Sequence, residues 1–104
     1  MLCVTTPDIA NQTIKEVLGT VTGNVVQSKH VGRDIMAGFK TIFGGEIRGY
    51  TEMLTEAREQ ALSRAIAEAE AMGADAIVNM RFTTSAIMQG ASEILVYGTA
   101  VKLR

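Results

Sequence analysis

Few side chains in this sequence could carry out chemistry, and they are thinly spread. The chain has 104 residues with one cysteine, Cys3, and one histidine, His30. Covalent catalysis needs a nucleophile beside a base, and acid–base catalysis needs titratable groups within reach of one another. No Ser-His-Asp, Cys-His or paired-carboxylate arrangement can be assembled from this set. We therefore predict that the protein is not an enzyme.

Cys3 and His30 are the candidate ligands for a metal ion. A lone thiol in an apolar strand is ordinarily a small buried hydrophobe, which is the interpretation we favour for Cys3. His30 precedes Gly32 in a predicted exposed loop and has no Cys-x-x-Cys motif or second histidine to complete a site.

Arg58 is the most informative charged residue, because a helical wheel places it near the middle of an apolar stripe. An arginine in an apolar environment must find acceptors. An ion pair with Glu46, Glu68 or an acidic residue of a neighbouring subunit is the simpler interpretation, and a ligand carboxylate is the alternative. We expect Arg58→Ala to lower the melting temperature, and Arg64→Ala, off the stripe, to do little.

Composition limits the class of protein. Ten basic and eleven acidic residues give a net charge of −1 without a basic run, which argues against nucleic-acid binding. A single cysteine excludes an internal disulfide. The N-terminus lacks the features of a signal peptide, and the apolar stretches are too short for a bilayer span. We expect one cytoplasmic domain, residues 1–104, with no membrane association.

Hydrophobic periodicity predicts an α+β fold with a mainly antiparallel sheet, one long helix and one short helix. The strands are expected at residues 2–6, 17–25, 76–83 and 93–103, with a loop or a loose hairpin connection at 85–92. Period-two spacing places Val17, Gly19, Val21, Gly23 and Val25 on one face of the second strand, and Ala76, Val78, Met80 and Phe82 on an apolar face of the third. Two glycines on one face predict close approach by another backbone.

The Ala-rich helix, predicted over residues 46–72, is the candidate to lie on those glycines. A helix of that length spans roughly 40 Å, whereas a compact domain of this size is only about 33 Å across. The short amphipathic helix is expected at residues 34–43. Since the long helix exceeds its own domain, we predict a homo-oligomer.

Several stretches of the chain resemble the YbjQ-like family, functionally uncharacterised prokaryotic proteins described as "putative heavy-metal-binding". The matching pieces, in chain order, are Thr5-Thr6, Gly19-x-Val21-x-Gly23, Gly44-Gly45-Glu46, Tyr50, Leu54, Glu56-Ala57-Arg58, Gly73-Ala74-Asp75-Ala76-Ile77-Val78 and Tyr97-Gly98-Thr99-Ala100-Val101. They cover nearly the whole chain.

The resemblance implies a dodecin-like subunit in an oligomeric ring, a pentamer, with a heavy-metal-binding role. Such a ring could gather one ligand from each subunit around its axis, but only if Cys3 or His30 faces that axis. A dodecin-like fold also suggests an alternative, a pocket between subunits for a small organic ligand or cofactor of unknown identity. Its expected lining is Tyr50, Arg58, Arg81 and Tyr97. A purely structural assembly without a ligand is the remaining interpretation.

Overall fold

The fold is a mixed four-stranded sheet with one long helix against one face. The computed structural model describes residues 1–27 and 48–104. The elements are β1 (Leu2–Cys3), β2 (Ile14–Gln27), α1 (Arg48–Ala71), β3 (Ala76–Met88) and β4 (Ala91–Leu103). The strand order is β1-β3-β4-β2; β1 pairs with β3 in parallel, and β4 pairs antiparallel with β3 and β2. The predicted α+β class is confirmed; the predicted short helix at 34–43 lies outside the described residues.

The helix α1 packs mainly on β2 through a stripe of alanines. Ala57, Ala61, Ala65 and Ala69 are fully buried, as the periodicity predicted. Gly23 is the reason the two backbones can meet. A Cβ at Gly23 would overlap the Ala61 carbonyl oxygen and lie 2.7 Å from the Ala65 amide nitrogen.

The C-terminus of α1 has the geometry of a glycine cap. Gly73 has φ +79°, the left-handed conformation that glycine adopts without a Cβ penalty. The Ala74 amide donates to the Ala69 carbonyl and the Gly73 amide donates to the Glu70 carbonyl, both at 3.0 Å. These are the two hydrogen bonds of a Schellman motif, which turns the chain towards β3. Within the described ranges, no helix combines the length and apolarity that a bilayer span requires.

The face assignment of Val17 in β2 is wrong. A register shift between Val17 and Gly19 breaks the alternation, so that Val17 is 64% exposed whereas Val21 and Val25 are buried. The shift occurs where Gly19 has φ +141°, a conformation that side-chain-bearing residues rarely adopt.

The single apolar face predicted for β3 is also wrong. A register shift between Val78 and Arg81 changes the phase of the strand. Ile77 and Met80 join the core beneath α1, while Ala76 and Val78 join a second, smaller core on the other face. That second core includes the half-buried side chains of the N-terminal segment and strand ends: Val4, Ile9, Ile14 and Leu103.

The connection at residues 85–92, expected as a loop or a loose hairpin, is a tight hairpin. Strand β3 continues to Met88 and β4 begins at Ala91, with Met88 and Ala91 paired. Only Gln89 and Gly90 form the turn, and Gly90 has φ +80°. A two-residue turn needs such a conformation, which glycine provides at no steric cost.

Candidate functional site

The main candidate site is an open pocket on the sheet face away from α1. Its volume is about 390 Å³, and its lining is Thr20, Asn79, Arg81, Tyr97, Gly98 and Thr99. Thr20 pairs with Thr99, and Arg81 pairs with Tyr97, so three neighbouring strands contribute to it. We call it the bulge pocket, because it lies where β3 is irregular.

The irregularity is a β-bulge, in which Asn79 and Met80 of β3 lie opposite one residue of β4, Gly98. Asn79 has φ +53°, a left-handed conformation in which asparagine is enriched. Gly98 allows the bulged backbone to approach. A Cβ at Gly98 would lie 2.6 Å from Ile77 Cγ2 and 3.3 Å from Met80 Cα.

The N-terminal segment holds the bulge from the open side of β3. The Met80 amide donates to the Val4 carbonyl and the Asn79 amide donates to the Thr6 carbonyl, both at 3.0 Å. These bonds satisfy backbone donors that the irregular pairing with β4 leaves free. They therefore fix the bulge as a defined conformation.

Arg81 is tethered by one nitrogen of its guanidinium group. Its Nη1 donates to the Thr5 carbonyl at 2.7 Å and to the Met80 carbonyl at 2.9 Å. The guanidinium carries five N–H donors, so most of its hydrogen-bonding capacity is not used by this tether. In the part of the chain that the structure describes, Arg81 has no carboxylate partner.

The bulge pocket is lined by hydrogen-bond donors and one positive charge. Besides Arg81, it has the hydroxyl groups of Thr20, Thr99 and Tyr97 and the amide of Asn79, and none of the described residues that line it is acidic. Among residues 1–27 and 48–104, nothing hydrogen-bonds the Tyr97 hydroxyl. This arrangement can bind a polar ligand with negatively charged oxygens.

The four residues predicted to line an organic-ligand pocket divide into two groups. Arg81 and Tyr97 are neighbours in the bulge pocket. Tyr50 lies in the first turn of α1 and Arg58 lies in its first half, and α1 covers the opposite face of the sheet. The described part of the chain therefore brings Arg81 and Tyr97 together and places Arg58 on an element at the other face of the sheet.

Arg58 does not lie in the buried stripe of α1, contrary to the helical-wheel prediction. It is exposed, and its Nη2 lies 3.5 Å from Thr55 Oγ1 in the same helix. The reason is that α1 meets the sheet through its buried alanines and the half-buried Leu62 and Ile66. Leu54 is also exposed at this end of the helix.

Sequence reasoning missed Thr20, Asn79 and Thr99. The alternation of polar and apolar residues in β2 and β4 could have placed Thr20 and Thr99 on one face. Asn79 interrupts an apolar run, but its conformation depends on Gly98 in another strand. Sequence spacing carries no direct signal for that contact.

The candidate metal ligands are not brought into a metal site by the described residues. Cys3 is half-buried in β1 and packs against the core beneath α1. Its thiol lies 3.8 Å from the Met1 carbonyl, to which it can donate. Burial raises the pKa of the Cys3 thiol above its ordinary value, although the nearby N-terminal amine opposes the shift. Metal binding requires the thiolate, which this environment disfavours.

His30 lies outside the described residues. Within those ranges no group of three or more His, Cys, Asp or Glu side chains could hold a metal ion. The described part of a single chain therefore does not fit a heavy-metal site.

Comparison with known proteins gives consistent results along the whole chain. A UPF0145 protein of Photobacterium profundum is 84% identical over 103 residues, covering 99% of this chain and all of the relative. A UPF0145 protein of Thermotoga maritima is 61% identical over 103 residues, covering 99% of this chain and 97% of the relative.

The fold is similar to that of a solved protein of unknown function from Pediococcus pentosaceus, assigned to the DUF74 family. The TM-score is 0.63 at 18% identity, over all of this chain and 98% of that one. The model of the YbjQ family, described as "putative heavy-metal-binding", matches residues 1–104. This chain therefore belongs to the YbjQ family, and its close relatives are UPF0145 proteins.

Proposed function

We propose that the protein is a self-assembling, non-enzymatic binding module of the cytoplasm. The observation that carries the proposal is that, among the described residues, the strand at each end of the sheet has a backbone edge without a partner strand. Strand β1 pairs only with Ala76 and Ile77, so β3 beyond the bulge has β4 as its only partner among the described strands. At the other end, β2 pairs only with β4 over residues 14–27.

Exposed apolar side chains accompany these edges. On β3 every residue from Arg81 to Met88 is exposed, and the exposed fractions of Phe82, Ile87 and Met88 are 41, 50 and 67%. A long edge strand with apolar side chains is a template for pairing with another chain. A second copy of this chain supplies such a partner, because its β2 edge also has no partner strand beyond β4 within residues 1–27 and 48–104.

A contact between the β3 edge of one copy and the β2 edge of the next joins two different surfaces. Such a contact is heterologous, and repeated copies close into a ring when the rotation between them allows it. The pentameric, dodecin-like ring implied by the family resemblance is one closure of this kind. Arg64 of α1 donates a hydrogen bond to the Asn24 carbonyl of β2. The proposed pairing with a second copy therefore uses the remaining part of the β2 edge.

Light scattering of the purified protein tests the assembly. We expect a mass several times that of the 11.1 kDa chain. The double variant Phe82→Lys, Ile87→Lys should have a smaller light-scattering mass than the wild type, because charged side chains on an edge strand oppose its pairing with another chain. Gln60→Lys, on the exposed surface of α1, is the control and should keep the wild-type mass. A wild-type mass of 11.1 kDa contradicts the proposal.

Heavy-metal binding is a second candidate function, favoured by the description of the family. It requires the assembly, since one described chain does not supply a ligand set. Elemental analysis of tag-free protein after challenge with soft metals is the test, with Cys3→Ser and His30→Ala as variants. Metal that the wild type retains and either variant loses would support heavy-metal binding. Less than about a tenth of an equivalent of metal per wild-type chain would contradict it.

Binding of a small organic ligand is the alternative role, and the bulge pocket favours it. A ligand that survives purification would be detected as absorbance beyond that of the protein. A clean spectrum, together with no thermal shift across a panel of cofactors, would contradict a cofactor-binding role.

A further inference from the structure

We propose that the bulge pocket binds a small anionic ligand through carboxylate or phosphate oxygens, with Arg81 as the charged anchor. The proposal deepens the binding role proposed above by naming the ligand class and the residues. It does not depend on metal binding.

The charge of the pocket determines the class of ligand. Among the lining residues that the structure describes, Arg81 provides the only formal charge, and none is acidic. A cation would meet repulsion from the guanidinium with no carboxylate to offset it. An anion gains a charge-assisted hydrogen bond, which is stronger than one between neutral groups.

The orientation of Arg81 is set before a ligand binds. Two backbone carbonyls, of Thr5 and Met80, accept from the same nitrogen, Nη1. The other guanidinium nitrogens have no partner in the described part of the chain. Holding the side chain in place reduces the entropy that ligand binding would otherwise cost, and a planar fork of donors matches carboxylate and phosphate oxygens.

The remaining groups add hydroxyl and amide donors around that fork. Tyr97 lies directly across the strand pair from Arg81, and Thr99 lies two residues further along β4. Thr20 pairs with Thr99 from β2. Since these residues lie on three strands of one sheet, their spacing is fixed by the backbone pairing.

The test is NMR titration of the isotope-labelled wild-type protein with inorganic phosphate, phenyl phosphate and succinate, each against matched sodium chloride. We expect saturable shifts of the Arg81 side-chain resonance and of the Asn79 and Thr99 amides. The phosphate and succinate arms distinguish a phosphate ligand from a carboxylate ligand.

Arg81→Gln should weaken binding about tenfold or more, since a hydrogen bond to a charged group is lost. Tyr97→Phe removes only a hydroxyl and should weaken binding severalfold. Arg104→Gln removes an equal charge from the exposed C-terminus and should have no effect. Absence of saturable shifts with every probe, or equal affinity of Arg81→Gln and Arg104→Gln, overturns the proposal. Light scattering reports separately on assembly, so the two proposals can fail independently.

Discussion

Asn79 and Gly98 together determine which face of the sheet each later residue of β3 occupies. Ala76, Ile77 and Val78 are all apolar, so either phase of alternation fits the sequence. In the structure Ile77 is buried on one face of the sheet and Ala76 and Val78 on the other. The β-bulge at Asn79 then adds one extra residue to β3 relative to β4. A bulge of this kind depends on the residue opposite in space, which is why spacing along β3 could not predict it.

Substitution of Asn79 tests whether the bulge has the left-handed backbone conformation described. Asn79→Val should lower the free energy of unfolding by about 1–2 kcal/mol, because a β-branched residue is strained at φ +53°. Asn79→Gly should be close to neutral, since glycine adopts that conformation freely. Urea denaturation monitored by circular dichroism measures both.

The neighbouring strand residue Thr83 provides the control for that experiment. Thr83→Val places the same β-branched residue at an exposed position of regular β3 and should change stability little. Equal losses for Asn79→Val and Thr83→Val would contradict the role assigned to the bulge.

At the same scale, residue type identified part of the candidate site. Arg81 and Tyr97 stood out because each combines a large side chain with hydrogen-bonding groups, and the β3–β4 register places them opposite each other. Arg58 stood out because a helical wheel placed it on an apolar stripe, but it is exposed on α1, away from the bulge pocket. The sequence contained the types of residue, whereas grouping them required the strand register.

At the scale of secondary-structure elements, the packing of α1 on β2 is the feature that the sequence predicted best. Small residues on both partners pointed to close approach, and Gly23 lies against the turn containing Ala61 and Ala65. The helix end was predictable as well, because Gly73 marks the Schellman motif. The tightness of the β3–β4 hairpin and the irregularities of β2 and β3 were not predictable, since each depends on pairing between strands.

Gly23→Ala tests this helix–sheet contact. The added methyl group would overlap the Ala61 carbonyl, and both partners are backbone, so that α1 must move away from β2. We expect a loss of about 1–3 kcal/mol or more in the free energy of unfolding. Denaturant unfolding measures the loss.

The adjacent residue Thr22 is the matched control for Gly23→Ala. It is exposed on the face away from α1, so Thr22→Ala should stay within about 0.5 kcal/mol of the wild type. An equally stable Gly23→Ala variant would mean that α1 does not approach β2 as closely as described.

At the scale of the whole molecule, the two sheet faces are covered unequally. The helix α1 packs chiefly on β2 and less on β4, so that it leaves most of β3 uncovered. On the opposite face, the second core covers only the end of the sheet near Ala76 and Val101. The bulge pocket and the open β3 edge both lie in the region that these two layers leave exposed, which places proposed ligand binding next to proposed self-association.

Substitutions of Arg58 and Arg64 should separate the stability of a single chain from the stability of the assembly. Arg64 Nη1 donates to the Asn24 carbonyl of β2, whereas the only described partner of Arg58 is Thr55 in the same helix. Contrary to the sequence-based expectation, Arg64→Ala should therefore lower the free energy of unfolding, by about 1 kcal/mol, because a helix–sheet hydrogen bond is lost.

Arg58→Ala should instead act through assembly, if a neighbouring copy covers Arg58. An exposed pair contributes about 0–1 kcal/mol, but truncating one partner of a buried pair costs about 3–5 kcal/mol. We expect Arg58→Ala to shift the light-scattering mass towards the monomer on dilution, with Arg64→Ala keeping the wild-type mass. The melting temperature of Arg58→Ala should also fall more steeply on dilution than that of the wild type. If the light-scattering mass of Arg58→Ala and the concentration dependence of its melting temperature both match the wild type, Arg58 is not part of the subunit contact.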